Sequence, residues 1–465
     1  MTSSRYSCAV PSHYKEDEQY QFQFAKYIEA ASATLNEKPV VLLDWYENRK
    51  SAKTDPNNWG RNFKGKNFIE KLDDDCGGCW HTNDRNFEKS ADGIIVDNTW
   101  FLFAPNDAPS TKNRAKNQYW ISHHRESATK GFDYVSEFLN PRDEYGNSLD
   151  QAYNLTTSYR RDSDIPFHPL LNDIIITVRY RHGELRMPDD EYMNKLLLNK
   201  FQDMSKNYIT WIVSNCDATT GARERMSYVK ELQNNGMKFD GFGTCFDDGS
   251  ESSSTQHAHD GQKDADISSR GIQWRGDTGS VIEKISKYKF YLAFENGVHC
   301  NDYLSEKFWR NSLEAQLVPI IFGTHKDDVK ALAPPNSYIH VEDFGTKAQL
   351  VEYLNYLHNN DTAYMVYHNW RTIKPDLETP LDTHIRKRIC GSCKLLNKKK
   401  SENYPVRMIK SVSSWWWMNM HDEKCLNSSS NHRPIPEELK AIVPPVSMED
   451  NWYDELIMQG GSESL

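Results

Sequence analysis

The run Tyr288-Lys289-Phe290-Tyr291-Leu292-Ala293-Phe294-Glu295-Asn296 decides how this chain is read. The apolar and aromatic residues from Phe290 to Phe294 end on an acid and an amide, the pattern of a buried strand with polar groups at its carboxyl end. Beyond it come Tyr303-Leu304-Ser305-Glu306-Lys307, then Trp309-Arg310-Asn311, then Val318-Pro319-Ile320-Ile321-Phe322-Gly323. The spacing predicts a helix from about Tyr303 to Ala315 and a second buried strand over Val318 to Phe322. Strand, helix, strand implies a parallel sheet, and ligands of such sheets bind beyond the carboxyl ends of the strands.

The same alternation extends outward. A strand over Tyr208 to Val213, a helix over Arg223 to Gln233 and a strand near Phe239 precede the central run. A helix over Lys347 to Leu357 follows it, with Leu350, Leu354 and Leu357 as a core-facing stripe. Closer to the N-terminus, apolar runs at Val40 to Trp45, Gly93 to Val96, Trp100 to Phe103 and Tyr119 to Ser122 predict the strands of a separate first sheet. The expected division is an arm over residues 1–36, with a short helical pattern from Tyr20 to Ala31, a first domain over 37–185 and a second over 186–375. A last segment over 376–465 carries Trp415-Trp416-Trp417, too apolar to stand in water, and packs on the domains; a sugar-stacking platform is the sharper alternative. The run 247–269, rich in Ser, Asp, His and Gly, predicts a mobile loop, and its His257 and His259 are weak metal candidates in so solvated a stretch.

With 465 residues, 38% of them hydrophobic, the chain can bury two or three cores. Its net charge of −10 is spread without a basic stripe, which speaks against a nucleic-acid partner. No window matches a membrane span and the first forty residues lack a signal-peptide core, so the expectation is a cytosolic protein or one whose anchor is absent from this chain. Nine cysteines include the pairs Cys76/Cys79 and Cys390/Cys393, an odd count that leaves at least one thiol without an intrachain partner. The two pairs fit a shared zinc ion or disulfides within or near each pair, and the long separation between them favours the disulfides. Sequons at Asn154, Asn360 and Asn427, as glycosylation candidates, also point to an oxidising lumen.

At the end of the central strand, a helix start and Lys307 together suit a phosphate. Glu306 and Lys307 read equally, on spacing alone, as a first-turn acid and a surface lysine. The stretch from Tyr288 to Gly323 resembles the signature region of the α1,3-fucosyltransferases, which runs Y-K-F-x-L-x-F-E-N, D-Y-x-x-E-K and V-P-x-x-x-G. Further pieces follow the family's order: Ser158-Tyr159-Arg160-Arg161-Asp162-Ser163-Asp164, then Trp211-Ile212-Val213-Ser214-Asn215 with Arg225, then Pro334-Pro335-Asn336-Ser337-Tyr338-Ile339 leading to Glu342-Asp343-Phe344. The resemblance spans roughly residues 40 to 395. It implies an α/β protein of the GT-B fold, two Rossmann-like domains facing a cleft, the first for acceptor and the second for GDP-fucose.

The resemblance further implies metal-free, inverting transfer of L-fucose from GDP-β-L-fucose in α1,3 linkage to GlcNAc of an N-glycan core or a Lewis-type LacNAc chain, in the Golgi lumen. Lys307 and Arg225 match positions that hold the pyrophosphate, and Glu306, Tyr303 and Asn296 match positions that contact ribose, base or fucose. Tyr159, Arg160, Asp162 and Glu295 are expected to support the cleft. Glu126 is the candidate base, in a segment that departs from the family's E-S-P motif at Ala128, with His124 as a second choice. On the bland reading Glu126 pairs with Arg125 or Arg85 at the surface. Asp162-Ser163-Asp164 and Asp73-Asp74-Asp75 also read as D-x-D metal motifs; the first is expected to anchor Arg160 or shape the cleft, the second to be a solvated turn. A metal-dependent transferase of another sugar nucleotide and a glycan-binding relative without chemistry are the competing readings.

Overall fold

The computed structural model describes residues 39–45, 67–98, 107–128, 142, 143, 145–181, 183, 184, 186–200, 207–217, 219–246, 278–377, 384–402, 408–418 and 425. The expected arm over 1–36, the strand Trp100 to Phe103, the run 247–269 with His257 and His259, the sequon at Asn427 and the side chain of Trp417 lie outside the described residues.

Two sheets organise the chain. The first contains β1 (Val41–Asp44), β2 (Ile69–Lys71), β3 (Trp80–Thr82), β4 (Gly93–Asp97), β5 (Tyr119–His124), β6 (Leu155–Ser158) and β7 (Ile165–Pro166), in the order β2-β3-β1-β4-β5-β6-β7. Its neighbours run parallel except β2 and β3. The second contains β8 (Ile209–Ile212), β9 (Asp240–Phe242), β10 (Phe290–Phe294), β11 (Val318–Phe322) and β12 (Ile339–His340), all parallel, in the order β12-β11-β10-β8-β9. Every residue of β1, β4, β5 and β10 is buried, and β10 is apolar or aromatic throughout. This is the two-sheet α/β plan of the GT-B fold.

The helix Thr220–Asn234 follows β8, and Lys347–Asn359 buries Leu350, Leu354 and Leu357 behind a capping box of Thr346 and Gln349. The helix after β10 departs from expectation. It starts at Glu306 rather than Tyr303, runs three residues and widens into a π-helix over Trp309–Glu314. Ser305, its N-cap, gives both its N–H and its hydroxyl to Glu295, so the chain turns helical only after leaving that carboxylate.

Helix Leu171–Arg181 buries Ile174, Ile175 and Val178 against Leu304, Phe308, Leu313, Ile321, Val329 and Trp370. The chain therefore crosses to the second sheet before residue 185, where the sequence boundary fell. It returns at helix His384–Ser401, which seats Ile389, Cys393 and Leu396 on Val40, Leu42 and Ile95 of the first sheet. The approach is close: a Cβ on Gly93 would lie 2.5 Å from Leu396 Cδ1, and one on Gly391 2.6 Å from Ile165 Cγ2.

The cysteine pairing differs from expectation as well. Each bridge joins one pair to the other, Cys76 to Cys390 and Cys79 to Cys393, instead of closing within a pair. Cys390 and Cys393 are three apart on a helix and so share a face. Gly77 and Gly78, with φ of 95° and 66°, turn Cys76 and Cys79 toward it. Cys216–Cys245 and Cys300–Cys425 are two further disulfides.

Candidate active site

β10 and β11 are in register from Phe290 opposite Val318 to Phe294 opposite Phe322, so Glu295 and Gly323 emerge at one level. Glu295 is fully buried and accepts from the Ser305 N–H at 2.8 Å, the Ser305 hydroxyl at 2.8 Å and Lys307 Nζ at 3.1 Å. Lys307 Nζ also donates to Ser305 Oγ at 2.8 Å and to Glu306 at 3.3 Å. Burial alone would depress the Lys307 ammonium, but the Glu295 and Glu306 carboxylates outweigh it and raise its pKa. For Glu306 the burial effect is likewise overcome, by Lys307 and Arg310, and its carboxyl is lowered to about 2. Both groups are therefore charged at neutral pH.

Arg225 stands beneath this cluster on helix Thr220–Asn234. Its guanidinium is buried and donates to the carbonyls of Phe294 at 2.8 Å and Asn215 at 2.6 Å, leaving Nε without a hydrogen-bond partner. Burial lowers its pKa, with Glu295 acting in the opposite sense. Two of the donors of this expected pyrophosphate-binding residue are thus engaged with the chain at the ends of β8 and β10. Thr219, the N-cap of the same helix, donates to the Asn296 carbonyl at 3.0 Å. A Cβ on Gly221 would fall 2.4 Å from that oxygen.

Asn296 Oδ1 accepts from the Tyr303 hydroxyl at 2.9 Å, and the Tyr303 ring meets Tyr159 of the first sheet at 5.0 Å between centroids. Burial, then the carboxylates of Glu126, Glu295 and Glu306, hold the Tyr303 phenol well above its ordinary pKa. Glu126 is therefore near enough for its charge to be felt across the domain boundary. It sits just after β5, and the next residue, Ser127, is pressed against Gly297 of the loop after β10. Of the two arginines near Glu126 in the sequence reading, Arg125 pairs with Asp97 at 3.0 Å and Arg85 with Asp107 at 2.6 Å.

The turn between β6 and β7 distributes three consecutive residues. Tyr159 goes to Tyr303, and Arg160 forks onto Asp162 while Nη1 donates to the Trp415 carbonyl at 2.8 Å. Arg161 crosses to Asp302 and Asp328. Asp164 instead accepts from Thr156 N at 2.8 Å. The two acids of this D-x-D run thus face different partners, the first anchoring Arg160, and Asp73 caps the 3-10 turn Asp74–Cys76. Among the described residues no group of three or more His, Cys, Asp and Glu is arranged to hold a metal ion, and no helix is long and apolar enough to cross a membrane.

His124 is a packing residue here. Its ring stacks on Trp416 at 4.2 Å, its Nε2 meets Ser122 Oγ at 2.8 Å, and burial pushes it down to about 3. Asn154 corrects another expectation: its side chain is fully buried, Oδ1 accepting from Trp120 N at 2.7 Å and from Arg114, so the sequon is closed to a glycan. Asn360, half-buried, caps helix Asp361–Met365 by accepting from Ala363 N. Sequence reasoning missed the reach of Arg161 and the contact of Ser127 with Gly297. Arg160-Arg161 offers no local signal for which arginine crosses, and a glycine's neighbour across a domain boundary leaves no trace in sequence.

Glu126 follows a strand of the first sheet and Lys307, paired with Glu295, follows a strand of the second, the arrangement of a two-domain transferase whose class the family models identify. A family model described as "Fucosyltransferase, N-terminal" matches residues 36–168, and one described as "Glycosyltransferase family 10 (fucosyltransferase) C-term" matches 203–415. The chain is 27% identical over 353 residues to 3-galactosyl-N-acetylglucosaminide 4-alpha-L-fucosyltransferase of Pan troglodytes, covering 73% of each. It is 30% identical over 298 residues to 4-galactosyl-N-acetylglucosaminide 3-alpha-L-fucosyltransferase of the same species, covering 64% of this chain and 66% of that protein. A solved structure, "Crystal Structure of alpha1,3-Fucosyltransferase with GDP", aligns over 79% of this chain and 92% of that one at 13% identity and a TM-score of 0.40. The chain belongs to glycosyltransferase family 10, the α1,3-fucosyltransferase family, and is a fucosyltransferase.

Proposed function

We propose that the enzyme takes L-fucose from GDP-β-L-fucose and transfers it, with inversion, in α1,3 linkage to GlcNAc of a glycan. The observation that carries this reading is the Lys307 ammonium, fixed by Glu295 at 3.1 Å on the domain whose 297 loop touches the Glu126–Ser127 loop of the other. In the proposed reaction the GlcNAc O3 attacks fucose C1, its proton passes to the Glu126 carboxylate, and the bond from C1 to the β-phosphate oxygen breaks. GDP departs with the electron pair. Charge grows on the diphosphate as that bond opens, and a preplaced cation stabilises it more in the transition state than in the bound donor. Lys307, backed by Arg225, fills that role, while the ionised Glu306 lies where a sugar ring gaining positive charge would be favoured. Asn296 and Tyr303 shape the donor side, and Tyr159, Arg160 and Asp162 support the boundary.

The names of the relatives supply the acceptor class, a galactosylated N-acetylglucosaminide. An N-glycan core GlcNAc is the alternative acceptor of the same chemistry. Four disulfides support residence in an oxidising lumen, and with the sequons at Asn360 and Asn427 they suit the Golgi. The test is incubation with GDP-fucose and a panel of LacNAc and N-glycan acceptors, in EDTA and in manganese, followed by product mass. One deoxyhexose gained in EDTA, with linkage analysis giving O3, supports the reading, and Glu126→Gln should cut kcat by about 10²–10⁴. Transfer in manganese alone would overturn the metal-free mechanism. GDP binding without transfer in either buffer would favour a glycan-binding relative.

A further inference from the structure

We propose that Arg161 is a positioning residue that makes the donor-side loop 296–305 depend on the docked first domain. The turn that carries it is itself fixed, since Ser158 Oγ accepts from Arg160 N at 3.0 Å and Asp164 pins Thr156. From that base Arg161 gives its N–H to Asp302 Oδ2 at 2.8 Å, Nε to Asp302 Oδ1 at 2.7 Å and Nη2 to Asp328 Oδ1 at 2.9 Å. Asp302 N in turn donates to Asp328 Oδ2 at 2.8 Å. The side chains of Asp302 and Asp328 are only 7% and 2% exposed, so two adjoining acids are withdrawn from water, and Arg161 of the other domain supplies countercharge to both. Burial, and then the charge of Asp328, act to raise the Asp302 carboxyl, which marks how far the pair depends on that guanidinium.

Asp302 is also held in the left-handed region, with φ of 57°, a conformation a non-glycine residue keeps only when its surroundings enforce it. It directly precedes Tyr303, whose hydroxyl reaches Asn296 and whose carbonyl accepts from Thr324 Oγ1 at 2.5 Å. A shift at Asp302 is thus transmitted to Tyr303, Asn296 and, through Ser305, to Glu295. A lysine at 161 supplies one point charge and cannot span both acids, whereas the planar arginine fork does.

The kinetic arm of the test rests on the donor reading above; the exchange arm does not. Hydrogen–deuterium exchange on the full chain compares peptides over 297–305 with those of β4. In Arg161→Ala, which removes both side-chain contacts, the loop amides should exchange about tenfold faster or more while β4 is unchanged. The KM for GDP-fucose should rise by about the same factor while acceptor KM stays within about twofold. Arg161→Lys should fall between, and added guanidinium ion should restore part of the alanine variant's donor affinity. Asp328→Asn should give the same signature, and its combination with Arg161→Ala should be less than additive. Should Arg161→Ala fail to fold, Arg161→Lys and Asp328→Asn carry the comparison. Unchanged exchange over 297–305, or donor and acceptor KM rising together, would overturn the proposal. Failure of the unmodified protein to bind GDP would sink the donor reading, with the exchange comparison still deciding the role of Arg161.

Discussion

Ser127 of the first domain lies so close to Gly297 of the second that a Cβ on the glycine would stand 2.8 Å from Ser127 Cβ and 2.9 Å from its Oγ. The Gly297 carbonyl oxygen is equally confined, 2.7 Å from where a Cβ on Gly323 would be. Gly297→Ala must therefore push the Glu126–Ser127 loop away from Asn296. The expected outcome is a stability loss of about 1–3 kcal/mol from overpacking. A fall in kcat of about tenfold or more should accompany it, because a small misplacement of reacting groups is costly. Adding Ser127→Gly, which removes the two nearest colliding atoms but leaves the Cys300 sulfur at 3.2 Å, should return part of both; melting temperature and steady-state rates on the single and double variants check this.

The ion pair of Lys307 with Glu295 gives a second expectation. Removing the ammonium in Lys307→Met leaves a fully buried carboxylate with Ser305 as its remaining named donor, a change of about 3–5 kcal/mol for a broken buried pair. Lys307→Met with Glu295→Gln should be less destabilised than Lys307→Met alone, yet remain inactive, since the cation is still missing. The folded pKa of Lys307 is raised, so its contribution is complete below its unfolded value, about 10.4, and is lost only as pH climbs through the higher folded one. No rescue of Lys307→Met is expected between pH 6 and 9, and denaturant melts with kcat at several pH values would reveal one.

His124 predicts the acid side of the stability profile. Its folded pKa lies near 3, first through burial, whereas the unfolded chain takes up a proton near 6.5. Below 6.5 the unfolded state binds more protons, so stability falls with falling pH until the folded value is reached. The contribution is about 2 kcal/mol between pH 6.5 and 5, at about 1.4 kcal/mol per unit. His124→Gln should lose some packing against Trp416 at neutral pH but show a shallower decline on acidification. Urea melts at pH 7.5 and 5 decide it; an equally steep decline in the variant would assign the acid sensitivity elsewhere.

Asn154 should be found without a glycan in the mature protein, because its amide is buried under Trp120 N and Arg114. Peptide mass spectrometry after expression in a glycosylating host gives the answer directly. Asn154→Gln should destabilise by about 1–3 kcal/mol through the unmet backbone donor of Trp120.

Much of the second sheet could be read in the sequence because burial on both faces leaves unbroken apolar runs; β10 lies between the polar Lys289 and Glu295, and β11 ends at Gly323. The helix after β10 was misplaced at its start because Tyr303 and Leu304 are apolar and helix-compatible, while the Ser305–Glu295 contacts that delay the turn span ten residues. Helix His384–Ser401 was missed for a different reason. Only a few of its residues face the first sheet, its middle contains Gly391, and its lysines give it the look of a solvated run. At the candidate site, Glu306 and Lys307 are adjacent in sequence and Glu295 ends the apolar run of β10, so all three stand out in the sequence, while the ion pair that joins Glu295 to Lys307 across twelve residues does not. Arg161 was not, since its partners are 141 and 167 residues away.

The crosswise disulfides carry the last prediction. Peptide mapping without reduction should recover Cys76 with Cys390 and Cys79 with Cys393, and no fragment closed within either Cys-x-x-Cys. Each bridge joins segments 314 residues apart and clamps helix His384–Ser401 to the strand-end turn at Gly77, where Asn397 also donates to the Gly77 carbonyl at 2.7 Å. Replacing Cys390 and Cys393 by serine should therefore cost about 2–5 kcal/mol per bridge. Exchange protection should be lost first over 384–401 and over β1 and β4, whose Leu42 and Gly93 the helix covers through Leu396. On the proposed reading the donor is held at Glu295 and Lys307, which belong to the other sheet, so GDP affinity should fall far less than stability. A collapse of GDP binding with intact protection over 384–401 would show that the bridges act on the site and not on this helix.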